Sequence, residues 1–158
     1  MSAVRGGAAW TSPCGRVAIE VADDYVVSLD WTQPGPARAP DHALAAEALR
    51  QVMAWFDDPG RGFDLPLAPA STRFRARVRT ALQAIEPGTT RTYGALAREL
   101  GTAARAVGGA CRSNPISLIV PCHRVVAQGG IGGYAGTWGS GAQIDRKSQL
   151  LVLERDRY

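Results

Sequence analysis

The sequence is poor in the residues from which metal sites and disulfide frameworks are built. It has two histidines, His42 and His123, and three cysteines, Cys14, Cys111 and Cys122, with no C-x-x-C pair. Structural zinc sites need four such ligands at close spacing, so a resident metal is not expected. An odd number of cysteines argues for free thiols in a reducing compartment, which makes the cytoplasm the expected location. Long apolar runs are missing as well. No stretch reaches the length of a membrane span, and the first residues do not read as a secretory leader. Lysine is almost absent: Lys147 stands alone within a Lys plus Arg count of 18. The basic charge is therefore arginine, the better bidentate partner of phosphate, although a GC-rich genome gives the same bias. There is no internal repeat.

What is present fits a globular protein. With 158 residues, 46% hydrophobic and 20% charged, the chain suffices for one domain or two small lobes. A net charge of +4 is either commonplace or an attraction for phosphates, depending on whether the arginines gather on one face.

Residues Met1 to Gly7 are small and polar and read as a loose end. Arg16 to Glu20 and Tyr25 to Leu29 are rich in β-branched residues, and Asp23-Asp24 between them predicts a hairpin. Gln33 to Pro40 is a proline-rich linker. Asp41 is placed to cap a helix with Leu44, Ala48, Leu49, Val52, Met53 and Phe56 on its apolar face. The Pro/Gly-interrupted stretch from Asp57 to Pro69 divides an α/β lobe over 8–69 from a second domain over 70–158. There, Phe74, Val78, Ala81, Leu82 and Ile85 mark an amphipathic helix that Pro87-Gly88 ends. Arg73, Arg75, Arg77 and Arg79 surround its polar side, ordinarily a solvated face. Thr92 caps a short helix closed by Gly101, and Thr102 caps another running to Arg112. Two short helices across a tight Gly-containing turn make a helix-turn-helix. Asp145 to Arg155 is the last helix, capped by Asp145 and carrying Leu150, Leu151 and Leu153. The expected fold class is α+β: a small sheet-plus-helix lobe and a helical lobe with a winged-helix-like helix-turn-helix.

The chemistry concentrates at Cys122. Leu118-Ile119-Val120 reads as a short buried strand, and Pro121 bends the chain at its end. The thiol then stands on a turn with His123 beside it. A thiol attacks as thiolate and needs a proton acceptor or positive surroundings. Neighbours on extended backbone point opposite ways, so a bridging water is one route from Cys122 to His123. The other reading is an inert buried thiol, which suits Cys14 and Cys111, where no base is adjacent. Glu154 follows Leu150 and Leu151 on the inward face of the last helix. A buried carboxylate needs a partner. Either His123 supplies it, giving a Cys-His-Glu relay, or the side chain reaches water near the chain end. Asn114-Pro115 initiates a turn. Arg105 sits among Ala103, Ala104, Ala106, Gly108 and Gly109, a helix nearly bare of side chains. Its glycines cost roughly 1 kcal/mol each in a helix interior, and close approach to DNA or to another helix is the compensation.

The run Pro121-Cys122-His123-Arg124-Val125, Asn114-Pro115, the Arg105 helix and Glu154 after a Leu-Leu pair agree over about Thr72 to Glu154. Together they resemble the O6-alkylguanine-DNA alkyltransferases, which repair DNA by direct reversal. The resemblance implies that Cys122 takes the alkyl group once, irreversibly, with His123 and Glu154 in the relay and Asn114 bracing the site. It implies that Tyr93 helps rotate the nucleotide and donates to the base, and that Arg105 is a finger entering the base stack. Ala104, Ala106, Gly108 and Arg112 would join them on DNA, while Tyr134, Val125, Cys111 and Ala135 would wall the alkyl pocket. The implied partner is double-stranded DNA bearing O6-alkylguanine, bound through the minor groove by a monomer, with no cofactor. Two departures stand out. Thr137 to Gln143 lengthens the loop after Tyr134, and Arg75 and Arg79 replace the usual Gln and Trp. The N-terminal zinc ligands of some members are not recognisable. Two rival readings are a non-catalytic alkyltransferase-like damage sensor and a helix-turn-helix regulator with a merely buried Cys122.

Overall fold

The computed structural model describes residues 4–134 and 141–157. The chain divides into two compact units, Met1–Ala68 together with Pro115–Ile119, and Pro69–Asn114 together with Val120–Tyr158. A linear division at residue 69 or 70 omits one feature: Pro115–Ile119 returns to the first unit.

The first unit holds β1 (Arg5–Ser12), β2 (Gly15–Ala22) and β3 (Tyr25–Thr32), antiparallel in the order β1-β2-β3. The β2–β3 hairpin turns through Asp23, which has a φ of 52°, a conformation Asp tolerates better than most residues. Strand β1 corrects the reading of Met1 to Gly7 as loose, because it pairs with β2 from Arg5 onward. Its glycines lie where the backbone approaches too closely for side chains. A Cβ on Gly6 would collide with His42 Cβ, and one on Gly7 would stand 2.5 Å from the Ile19 carbonyl oxygen.

Helix α1 (Ala43–Asp57) packs on the sheet and buries Ala45, Ala48, Val52 and Trp55. The expected face is thus rotated: Ala48 and Val52 are inside, Leu44, Leu49 and Phe56 half-buried, and Met53 exposed. Positions 45, 48, 52 and 55 keep helical spacing while placing the large indole of Trp55 inward. The cap also differs. The His42 ring Nδ1 accepts from the Leu44 N–H at 3.0 Å. Asp41 is occupied elsewhere, its carboxylate accepting from the Gly7 N–H at 2.8 Å and from Arg38.

Both sheet edges are covered. Ala9 and Arg38 exchange backbone hydrogen bonds at 3.0 Å on the β1 side. On the β3 side the Val26 N–H donates to Pro66 O, the Leu29 N–H to Pro115 O, and the Ser117 N–H to Leu29 O. Covering an edge in this way prevents unwanted strand pairing.

The second unit contains α2 (Arg73–Gln83), β4 (Arg91–Thr92), α3 (Tyr93–Leu100), α4 (Ala104–Arg112), β5 (Val125–Val126) and α5 (Ala142–Arg157). Thr72 caps α2 through the Arg75 N–H, and Thr92 caps α3 through the Ala95 N–H. Gly101 closes α3 with a φ of 69°, which a residue without Cβ adopts freely. Thr102 does not cap α4. That place falls to Ala103, which makes no side-chain cap, while the Thr102 N–H donates back to Ala97 O at 2.8 Å. Strands β4 and β5 pair in parallel. The segment 118–120 is not a strand but a turn, with Leu118 at a φ of 70°. Helix α5 begins three residues before Asp145 and buries Ile144, Lys147, Leu150 and Glu154, while Leu151 and Leu153 are half-buried. Among the described residues no helix is long and apolar enough to cross a membrane.

Candidate active site

Cys122 opens a 3-10 turn, Cys122–Arg124, that leads into β5. It therefore stands on a curled backbone and not at the end of a strand. The side chain is buried. Asn114 reaches it from the turn after α4. Its Nδ2 donates to Cys122 Sγ at 3.2 Å and to the Val120 carbonyl at 3.0 Å. The Asn114 backbone N–H donates to Cys111 O at 3.2 Å. One residue thus ties the end of α4 to the Cys122 sulfur.

His123 and Glu154 are fully buried, and His123 Nε2 lies 2.7 Å from Glu154 Oε1. Burial opposes charge on Glu154, but the hydrogen bond of His123 and the hydrogen bonds and charge of Arg124 outweigh it and hold the carboxyl at about 2. Burial lowers the His123 pKa against the pull of Glu154. The pair at neutral pH is therefore a carboxylate and a neutral imidazole. An ionised carboxylate can only accept, so the ring proton sits on Nε2 and Nδ1 carries the basic lone pair.

Arg124 was not legible as a member of this cluster. Its Nε donates to Glu154 Oε1 at 2.9 Å and to Oε2 at 3.1 Å, and its Nη2 to Oε1 at 2.7 Å. Its Nη1 donates to the Ile85 carbonyl at 2.7 Å. The guanidinium balances the buried carboxylate and fixes its plane.

Lys147 is the second residue missed. Completely buried, its Nζ donates to the carbonyls of Val125 at 2.6 Å, Ile131 at 2.7 Å and Gly133 at 2.9 Å. Burial brings its pKa down to about 8, with the cysteines working in the opposite sense. One signal pointed to it: the chain's only lysine lies seven residues before Glu154, two helical turns away on the same face.

Burial raises the Cys122 pKa, opposed by the Asn114 donor and the Lys147 charge. The resting group is a thiol whose thiolate these donors would steady. Burial, followed by charge on Cys122, pushes Cys111 up to about 12. Cys14 is also buried, and none of the three cysteines is in a disulfide.

Tyr93 is buried at the start of α3, and its hydroxyl donates to the Gly133 carbonyl at 3.5 Å. Burial raises its pKa, so the phenol keeps its proton. The Lys147 ammonium lies 5.8 Å from the Tyr93 ring centroid. Tyr134 and Val125 are buried. Ala135 and residues 137–140 of the long loop lie outside the described residues.

On α4, Ala104, Arg105 and Arg112 are exposed, and Ala106 and Gly108 are half-buried. A Cβ on Gly108 or Gly109 would meet nothing within 4 Å. Arg105, Arg112 and Tyr93, with Ala104, Gly108 and Gly109, line a hollow of about 370 Å³. Among the described residues no three His, Cys, Asp or Glu side chains are grouped to hold a metal ion.

Comparison with known proteins converges on one family. Residues 73–156 match the family described as "6-O-methylguanine DNA methyltransferase, DNA binding domain". A methylated-DNA–protein-cysteine methyltransferase of Methanosarcina acetivorans is 42% identical over 143 residues, covering 89% of this chain and 80% of that protein. One of the same name from Mycolicibacterium paratuberculosis is 45% identical over 152 residues, covering 91% and 88%. The crystal structure of Mycobacterium tuberculosis O6-methylguanine methyltransferase superposes with a TM-score of 0.80 at 34% identity, covering 98% of this chain and 95% of that one. A structure of Mycobacterium tuberculosis OGT in complex with DNA superposes with a TM-score of 0.78 at 37% identity, covering 94% and 92%. Identities of this size, sustained over nearly the whole length of both partners, place the chain in the methylated-DNA–protein-cysteine methyltransferase family.

Proposed function

We propose that this chain repairs DNA by moving the alkyl group of O6-alkylguanine onto Cys122. The observation that carries the reading is the Cys122 sulfur, buried on its turn with the Asn114 amide donating to it and the His123–Glu154 pair on the next residue. His123 Nδ1 accepts the thiol proton, directly or through a water. The thiolate attacks the alkyl carbon in line, the S–C bond forms, and the C–O6 bond breaks. Guanine leaves with the electron pair as its N1/O6 anion, held by a hydrogen bond from the Tyr93 phenol, and takes up a proton from water while His123 releases to solvent the one it took from the thiol. The thioether product offers no leaving group, so each molecule acts once. No cofactor enters this balance.

The base must leave the stack to reach a buried thiol. The bare face of α4 suits a shallow approach through the minor groove, with Arg105 filling the gap left by the flipped nucleotide. Three cysteines outside any disulfide fit a reducing cytoplasm, and the repair step as written needs only one copy of the chain. A non-catalytic sensor would have no use for an intact Cys122 with this surround, nor would a regulator.

Incubation with a duplex containing O6-methylguanine, followed by peptide mapping, tests the proposal. One methyl per molecule on Cys122 is expected, and Cys122→Ser should bind the duplex and gain none. A methyl on Cys14 or Cys111 would overturn the assignment, and no methyl anywhere would favour the sensor or regulator.

A further inference from the structure

Helix α4 is flanked by two hollows of about 370 Å³ each, both within the second unit. The first holds Arg105 and Tyr93. The second lies between α2 and α4 and shares Gly109 and Arg112 with the first. It is lined by Arg75 and Arg112, the small residues Ala106, Gly109 and Ala110, the hydroxyl residues Thr72 and Ser113, and Phe74. No residue lining it is acidic.

The charge there is uncompensated. Arg38 is paired with Glu20 and Asp41, Arg50 with Glu47, and Arg91 with Glu99, whereas among the described residues no carboxylate pairs with Arg75 or Arg112. Arg75 Nη1 donates to Ser71 Oγ at 2.9 Å, which steadies the guanidinium and uses one of its five donors. Two guanidiniums in a cleft with no acid in its lining fit an extended anion.

Duplex geometry says which anion. A B-form minor groove is only about 6 Å wide, so a helix approaching it meets a sugar–phosphate backbone on each side. If α4 presents its Arg105 side to the flipped nucleotide, its other side faces the second of those backbones. We propose that the α2–α4 cleft seats that second backbone, with Arg75 and Arg112 contacting its phosphates. The inference rests on the DNA-repair reading above and adds a contact outside the helix-turn-helix.

The test is binding of the full chain to an undamaged duplex, by fluorescence anisotropy across a salt series. Arg75→Ala should weaken binding several-fold at low salt and flatten the slope of log affinity against log salt by about 0.9, the value for one phosphate contact. Arg75→Gln can keep the Ser71 bond without the charge and should flatten it equally. Arg50→Ala removes one positive charge from α1, in the first unit, and should leave the slope alone. Alkyl transfer from free O6-benzylguanine should be unchanged in both Arg75 variants, which reads out an intact fold. A wild-type slope in the Arg75 variants overturns the cleft, as does an equal change in Arg50→Ala. Failure of the wild-type chain to take alkyl from the free base would instead sink the repair reading, while the slopes would still decide the cleft.

Discussion

The exposed face of α4 and the buried cluster around Cys122 are built on opposite principles. The α4 face has been stripped of most side chains: alanine, glycine and two long arginines, with open space above both glycines. The Cys122 cluster is crowded with ionisable groups, among them His123, Arg124, Lys147 and Glu154, all buried. One region is specified by what can approach it, the other by charges that must neutralise each other away from water. Damage on the first should change DNA binding and leave the thiol alone. Damage in the second should change the thiol and the fold together.

The largest effect is expected from Glu154→Gln. It leaves Arg124 buried without its carboxylate, which typically destabilises a protein by about 3–5 kcal/mol. Urea unfolding measures that loss, and transfer should slow equally with duplex and free base. The pH profile of stability sharpens the point. Glu154 titrates at about 2 in the fold, below its unfolded value near 4. Its contribution is complete above about pH 4 and drains as pH falls toward 2. Burial also lowers the His123 pKa. The unfolded chain therefore takes up that proton first, and stability begins to fall below about pH 6.5. Glu154→Gln should erase the lower of these two arms.

Arg105→Ala tests the exposed face alone. Repair of duplex DNA should fall by roughly ten- to a hundredfold, the scale of a flipping penalty of a few kcal/mol. Reaction with free O6-benzylguanine should barely change. Equal losses on both substrates would show that Arg105 supports the fold.

Asn114→Ala falls between the two regions, since Asn114 bonds the end of α4 by its backbone and Cys122 by its side chain. Losing a donor to the thiolate should slow transfer about tenfold at neutral pH. The pH–rate profile should move to the alkaline side, because the thiol pKa, already raised by burial, rises further.

The smallest effect is expected from shortening 137–141, the part of the expected loop from Thr137 to Gln143 that precedes α5, to a single glycine. The ratio of rates for O6-methyl and O6-benzyl guanine in DNA should shift, with Cys122 still reactive. Unchanged rates for both would remove any gating role for the loop.

What the sequence made legible was local. The β2–β3 hairpin, the Thr92 cap, the Gly101 stop and the inward face carrying Glu154 follow from short-range pattern. What it hid depended on distant partners. Arg124 looks like any arginine until Glu154 and the Ile85 carbonyl surround it. Lys147 looks solvated until three carbonyls converge on it. Asp41 is a sound cap by residue type, but the Gly7 N–H takes its carboxylate first. Strand β1 is masked by glycines whose reason is the closeness of Ile19 and His42.

The pairing of Leu29 with Ile116 also sets an order of assembly. It joins residues far apart in the chain, and closing so long a loop is an entropic step that local helices never face. Asn114 and Val120, which Asn114 Nδ2 bonds, stand on either side of the segment that makes this pairing. During synthesis β3 is complete long before Ile116 emerges, so a template waits for the returning chain. The Asn114 bonds to Val120 and Cys122 are then expected to close among the last contacts of the molecule.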